Sequence, residues 1–196
     1  MRRSLLALLI LAGCTADVPV ERGPVAGALC GDPRLVGTAQ VPVTGPGACG
    51  MADPVRLSGV AGITVAGRPT MTCRTARAFA DWAEGGLQVA AARDGRQVTE
   101  IVTVASFACR NRNGTRTRRL SNHALGQAID ISALGFADGG RLSVLSDWTN
   151  STILQEAAGR ACGPFNTVLG PNYNAAHRDH LHFDVTDEYG GGTFCR

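Results

Sequence analysis

The chain of 196 residues carries 19 basic and 16 acidic residues, for a formal net charge of +3. Arg2 and Arg3 hold two of those charges, so the chain beyond them stands near +1, a balance that gives no general attraction to nucleic acid. The length suits one domain with a sizeable core, and the absence of any repeat or Pro-rich array removes support for a fibrous protein.

Met1-Arg2-Arg3 followed by the apolar run Leu5 to Leu11 has the form of an export signal, and the run is too short to cross a membrane comfortably. It leads into Leu11-Ala12-Gly13-Cys14, which resembles the lipobox of bacterial lipoproteins, where the chain is cut before the cysteine and the cysteine is lipidated. The expected organisation is a signal segment over 1–13, a tether over 14–28 and a domain over 29–196. The protein is then held in the periplasm by a lipid on Cys14, with the outer membrane the expected one, anchored to it and not spanning it. An ordinary signal peptide with Cys14 incidental is the alternative. Behind an export signal the other cysteines, Cys30, Cys49, Cys73, Cys109, Cys162 and Cys195, read as disulfides of an oxidising compartment. Of the fifteen connectivities open to six cysteines, successive pairing is favoured because each pair brackets one segment: Cys30–Cys49, Cys73–Cys109 and Cys162–Cys195.

Residues 31–54 read as loop, with Pro33, Pro42, Pro46 and several glycines. Thr72 is a fair N-cap for a helix from Cys73, loosened at Gly85-Gly86 before a second stretch over Leu87 to Arg93. Val98 to Phe107 is rich in β-branched residues and predicts a buried strand. A polar loop follows with Arg110, Arg112, Arg116, Arg118 and Arg119, and it contains the chance sequon Asn113-Gly114-Thr115. Further strands are predicted over Ala128 to Leu134, near Arg141 to Leu145 after the turn at Asp138-Gly139-Gly140, and over Phe165 to Leu169. Asn150 or Ser151 caps a helix to about Ala161, and His180 to Thr186 is the last strand. The sum is an α+β domain: a small, mainly antiparallel sheet with helices to one side, stapled by disulfides.

The chain has four histidines, one at His123 and three packed together as His177, His180 and His182. In a strand over 180–186 the period of two sends His180, His182 and Asp184 to one face and Leu181, Phe183 and Val185 to the other. Ile129-Asp130-Ile131 repeats the pattern and fixes one carboxylate on a rigid strand. His123 must fold back to reach it, and Gly126 offers the place. Neutral imidazoles and a carboxylate suit zinc, so His123, Asp130 and His182 are expected to hold one Zn2+ ion in the open, three-ligand arrangement of a catalytic site. Such an ion lowers the pKa of a bound water toward ~7 and polarises a carbonyl. Asp179 and His180 beside it are the candidates for moving protons. His177 lines the cleft, orients a ligand or is a surface turn histidine, Ser121 shapes the loop or bonds near the site, and Asp184 shares the ligand face, where it is suited to bond an imidazole. The arginine loop is suited to gripping carboxylates in pairs of bonds, with Arg110 the first candidate and Arg119 the second.

Ser121-x-His123-x-x-Gly126-x-Ala128-x-Asp130 followed by Asp179-His180-x-His182 resembles the zinc peptidase superfamily of lysostaphin, D-alanyl-D-alanine metallopeptidases and the Hedgehog signalling domain. More closely, the region from about Cys30 onward is similar to the bacterial extensin-like C-terminal domain family, through Phe107-Ala108-Cys109-Arg110, Val168-Leu169-Gly170-Pro171 and His177-x-Asp179-His180. The resemblance implies a Hedgehog/DD-peptidase-like fold, zinc on His123, Asp130 and His182, and His180 as the residue that assists catalysis or steadies the transition state. It also implies Asp179 as general base and Arg110 near the substrate. The D-alanyl-D-alanine branch commonly carries Glu and an aromatic residue where this chain has Asp179 and Leu181, so the carboxylate here is shorter. The expected activity is a zinc-dependent peptidase or amidase cutting peptidoglycan in the cell envelope. A wall-binding or signalling module that keeps zinc without turnover is the alternative from another class.

Overall fold

The computed structural model describes residues 28–112, 119–188 and 190–196. The leader, Cys14, the tether up to residue 27, Arg116, Arg118 and the sequon at 113–115 lie outside them.

The chain enters through Leu35–Ala39 (β1), two short strands Val43–Thr44 (β2) and Gly50–Met51 (β3), then Pro54–Val60 (β4), Ile63–Ala66 (β5) and Thr70–Thr72 (β6). Helix Cys73–Trp82 (α1) runs through a π-helical turn, Ala83–Leu87, into Gln88–Arg93 (α2). Thr72 caps α1 by accepting from the Thr75 amide at 3.3 Å. Strands Val98–Ala105 (β7), Ala128–Phe136 (β8) and Arg141–Ser143 (β9) precede two helices, Val144–Asp147 (α3) and Thr152–Gly159 (α4, capped by Ser151). Thr167–Leu169 (β10), Leu181–Asp184 (β11) and Phe194–Cys195 (β12) complete the chain.

Among the described residues ten strands form one sheet in the order β1-β4-β5-β7-β8-β11-β10-β12, with β6 paired to β4 and β9 to β8; β2 and β3 pair separately. The α+β class is as expected, but the sheet is larger and more mixed. β5 runs parallel to β7 and β12 parallel to β10. The first follows from the helical connection α1–α2, because only a long crossover returns a strand in the same direction. The second adds the C-terminal strand at the far edge. Residues 31–54 are not all loop. The glycines and prolines there interrupt strands too short to show a period, and β1 presents one buried residue, Leu35, before four exposed ones. The strands that follow, β4 to β6, supply Val55, Leu57, Val60, Ile63, Val65 and Met71 to the core.

One hydrophobic core lies between the sheet and α1, α2 and α4, with Trp82, Phe79, Phe165 and Phe183 among its largest fully buried side chains. Phe183 meets Trp82 edge-on at 5.1 Å, and the indole N–H of Trp82 donates to the Ala157 carbonyl at 2.8 Å. Among the described residues no helix is long and apolar enough to cross a membrane.

The disulfides are Cys30–Cys73, Cys49–Cys109 and Cys162–Cys195. Only the last matches successive pairing. Cys30 sits in a 3-10 turn that packs on the start of α1, so its partner is Cys73 across 43 residues. Cys49 and Cys109 then join the β2–β3 loop to the segment leaving β7, across 60 residues. Bracketing a sequence segment is thus a poor guide when the N-terminal strands fold back beside the helix and the site.

Candidate metal centre

β8 and β11 are antiparallel neighbours, and their register sets Asp130 directly opposite His182. Leu181 and Phe183 of β11, with Ile129 and Ile131 of β8, are buried in the core, while Asp130, His182 and Asp184 line a cleft. The period-two expectation holds on both strands.

β7 stops at Ala105 rather than Phe107, because the chain leaves the sheet there to meet the segment carrying His123. The Ser106 carbonyl accepts from His123 Nδ1 at 2.6 Å, and Ala108 N–H donates to the His123 carbonyl at 3.2 Å. His123 stands in a 3-10 turn, Asn122–Leu125, capped by Ser121 Oγ, which accepts from the His123 amide at 3.4 Å. Gly126 ends that turn at φ 63°, the left-handed region that favours glycine. A Cβ there would collide with Met51 Sδ and lie 3.3 Å from the Thr72 nitrogen, while the Gly126 carbonyl accepts from Thr72 N–H and Thr75 Oγ1. Gly126→Ala is therefore expected to destabilise the fold by about 1–3 kcal/mol, from backbone strain and overpacking together. Thermal melting measures this, and the variant should also bind zinc more weakly because His123 is displaced.

Three donor atoms converge. His123 Nε2, Asp130 Oδ1 and His182 Nδ1 are separated by 3.3 Å (His123–Asp130), 3.2 Å (His123–His182) and 2.8 Å (His182–Asp130). Zinc bonds of ~2.0–2.1 Å in tetrahedral directions require donor separations of roughly 3.3 Å, so this triangle fits that ion after small adjustments. Both imidazoles are oriented by acceptors on their far side. His123 Nδ1 must carry a proton to bond a carbonyl, which leaves the Nε2 lone pair for the centre. His182 Nε2 faces Asp184 Oδ2 at 3.2 Å, which leaves Nδ1 for the centre. Asp184 is itself held by Asn122 Nδ2 at 2.8 Å, Thr186 N–H at 3.1 Å and Thr186 Oγ1 at 2.7 Å. Asn122→Ala removes the donor to Asp184 Oδ2, the oxygen that faces His182, and is expected to weaken zinc binding by about 10–100-fold, the usual cost of losing an outer partner. Competition against a chelator of known affinity reads it directly.

Electrostatics fit a cation. Burial works to raise Asp130, but the His123 and His182 imidazoles beside it outweigh that and hold the carboxyl well below the usual range. Asp184 is likewise lowered: burial opposes, and His182 and Thr186 prevail. Burial works to lower His182, yet bonds to Asp130 and Asp184 push it up to about 9. Without metal His182 is then an imidazolium at neutral pH, and a metal must displace its Nδ1 proton. Zinc affinity is expected to fall about tenfold for each pH unit below 9, with one proton released per ion. Calorimetry in buffers of different ionisation enthalpy counts that proton.

His180 Nδ1 bonds Asp179 Oδ1 at 2.9 Å, and its Nε2 lies 3.8 Å from Asp130 Oδ2. Asp179 is more than half exposed and does not line the cleft; it touches His180 from behind. Its carboxyl is lowered chiefly by that hydrogen bond. His177 lines the cleft with its ring 5.2 Å from His180 and 5.9 Å from His182; burial, then the charges of His182 and His180, push it down to about 4.

The cleft has a volume of about 340 Å³. Ser121 and Arg110 line it, the latter exposed at its edge. Arg112 and Arg119 both pair with Glu188, and Arg112 reaches Asn122 Oδ1 at 3.4 Å, so this rim is tied to the network behind His182.

A family model described as Extensin-like protein C-terminus matches residues 32–196. The chain belongs to the extensin-like C-terminal family. No curated protein and no solved structure matches it. In this extensin-like domain His123, Asp130 and His182 form a cluster able to hold a metal ion. The residues that the sequence did not single out are Asn122, the Ser106 carbonyl, Glu188, Tyr173 and Phe194, all at or behind the cleft. Asn122 had one available signal: it adjoins His123 in the motif.

Proposed function

We propose that this extensin-like domain is a zinc-dependent peptidase or amidase that cuts a peptide or amide bond of peptidoglycan in the bacterial envelope. The observation that carries the reading is the convergence of His123 Nε2, Asp130 Oδ1 and His182 Nδ1 at 2.8–3.3 Å, at the floor of an open cleft with a further imidazole beside them. Three protein donors is the number found in catalytic zinc sites, whereas closed structural sites use four. When bound, zinc supplies an activated water near neutral pH and polarises the scissile carbonyl.

The side chains do the rest. His180, its Nδ1–H directed at Asp179, presents Nε2 toward the cluster as the group that takes a proton from the attacking water and returns it to the leaving amine. Asp179 fixes that tautomer and favours the imidazolium formed in passing. Arg110 at the cleft edge binds a carboxylate of the stem or cross-link peptide. The resemblance to lysostaphin and the D-alanyl-D-alanine metallopeptidases supports the substrate class, and the lipobox-like Leu11-Ala12-Gly13-Cys14 supports lipid anchoring in the periplasm on the outer membrane.

The test is digestion of purified peptidoglycan by the zinc-loaded protein, with and without chelator, read by mass spectrometry of the released muropeptides. New fragments that vanish with chelator are expected. One equivalent of zinc with no new fragments would instead mark a wall-binding module without turnover.

A further inference from the structure

One wall of the cleft has no part in the chemistry above. It is a file of rings leading away from the metal cluster. His182 meets His177 at 5.9 Å between centroids, His177 meets Tyr173 at 5.6 Å, and Tyr173 meets Phe194 at 5.8 Å, nearly perpendicular. Arg196 stacks on Phe194 at 5.4 Å. His177, Tyr173 and Phe194 line the same cleft as the metal ligands. The sheet explains the file. β12 lies two strands from β11, with Phe194 opposite Thr167 and Thr167 opposite Asp184. At about 4.8 Å per strand, the outer rings stand roughly 10 Å to the side of the ligand strand.

The wall is not simply apolar. Tyr173 is 43% exposed, although a large aromatic side chain gains by burial, and its hydroxyl makes no hydrogen bond to the described residues. Asn174 Oδ1 accepts from the Ala176 amide at 3.0 Å and bonds His177 Nδ1 at 2.8 Å, which turns the Asn174 amide NH2 the other way, as a donor at the cleft. Ring faces with hydrogen-bonding groups at their edges suit a ligand that has an apolar C–H face and a rim of hydroxyls. An aliphatic side chain would use the faces and leave the polar groups idle, and a carboxylate would use neither face.

We propose that this wall is a saccharide subsite, seating a sugar ring of the glycan against Tyr173, which Phe194 backs, while an attached peptide runs back to the metal cluster. The proposal rests on the peptidoglycan reading above and narrows it. Because the outer rings stand roughly 10 Å away and an extended residue spans about 3.3–3.6 Å, the bond cut is separated from the sugar by about three residues and does not adjoin it.

Two measurements on the full chain test this. In the first, the N-acetylglucosaminyl–N-acetylmuramic acid disaccharide is titrated against wild type, Tyr173→Ala and Tyr173→Phe, and binding is followed by NMR. Weak binding to wild type is expected, lowered about tenfold in Tyr173→Ala and partly restored in Tyr173→Phe. In the second, the zinc-loaded protein is offered a disaccharide-peptide and the same peptide without glycan. Wild type is expected to prefer the glycan-bearing substrate about tenfold in kcat/KM, and Tyr173→Ala to lose that preference. Disaccharide binding that is absent, or unchanged by Tyr173→Ala, overturns the subsite. If the disaccharide binds through Tyr173 but neither substrate is cut, the hydrolase reading fails and the subsite stands.

Discussion

His182→Ala is expected to lower the bound zinc from one equivalent to none and to abolish turnover, while weakening the metal-free protein as well. The first effect follows from donor count. Removing one of three protein ligands costs more than the roughly 10–100-fold in affinity that follows loss of an outer partner. The second follows from charge. Asp130 and Asp184 are almost fully buried, at 5% and 2% exposure, and both carboxyls are held low by His182. Deleting the imidazolium leaves two carboxylates facing a gap. Asn122 and Thr186 keep their hydrogen bonds to Asp184, so the expected loss is about 3 kcal/mol, at the lower end for a broken buried pair. Elemental analysis reads the metal, and chemical denaturation of chelator-treated protein reads the stability. The core should survive, because Leu181 and Phe183 point to the opposite face of β11. A His182→Ala protein that still binds zinc with wild-type affinity would remove the centre proposed here.

The parts of this site that could be read from the sequence are those fixed by local geometry. A strand alternates its side chains whatever lies beside it, so Leu181-His182-Phe183-Asp184 and Ile129-Asp130-Ile131 announced which residues face the cleft. Gly126 announced a reversal, and the left-handed turn found there delivers His123 to the other two ligands. What lies beside each strand is a property of the whole fold. Nothing local shows that Asp130 falls opposite His182 rather than one residue off, nor that the Ser106 carbonyl sets the His123 tautomer.

The same limit explains the two revised disulfides and the larger sheet. Cys30 and Cys73 meet because α1 packs beside the entry turn, and Cys49 meets Cys109 because the β2–β3 loop reaches across to the chain leaving β7. In a stretch crowded with glycine and proline, strands of two to five residues have no period to display, yet β1 becomes a strand once β4 offers an edge, and β2 and β3 pair with each other. Asp184 stands between these cases. Its face was legible, while its partners Asn122 and Thr186, which make it an orienting group for His182, depended on tertiary contact.

His180→Ala is expected to keep one equivalent of zinc and lose about 10²–10⁴-fold in kcat, the usual contribution of a positioned acid/base group. Its Nε2 is 3.8 Å from Asp130 Oδ2, close enough to serve a water at the cluster but outside the triangle of the three donors. Asp179 acts differently. Its carboxylate accepts from His180 Nδ1 at 2.9 Å, yet it is more than half exposed and absent from the cleft lining. Water can take over a partner so placed, so Asp179→Ala should lose only about tenfold. Asp179→Asn, which keeps an acceptor oxygen, should recover part of that. The superfamily resemblance implies the opposite order, with the carboxylate itself as base. Single-turnover rates for the three variants, each checked for zinc content, separate the two schemes. If Asp179→Ala falls as far as His180→Ala and Asp179→Asn recovers nothing, the carboxylate carries the proton and His180 only steadies the transition state. A modest Asp179 effect with partial recovery places the proton on His180, because an orienting acceptor can be replaced by an amide oxygen and a base cannot.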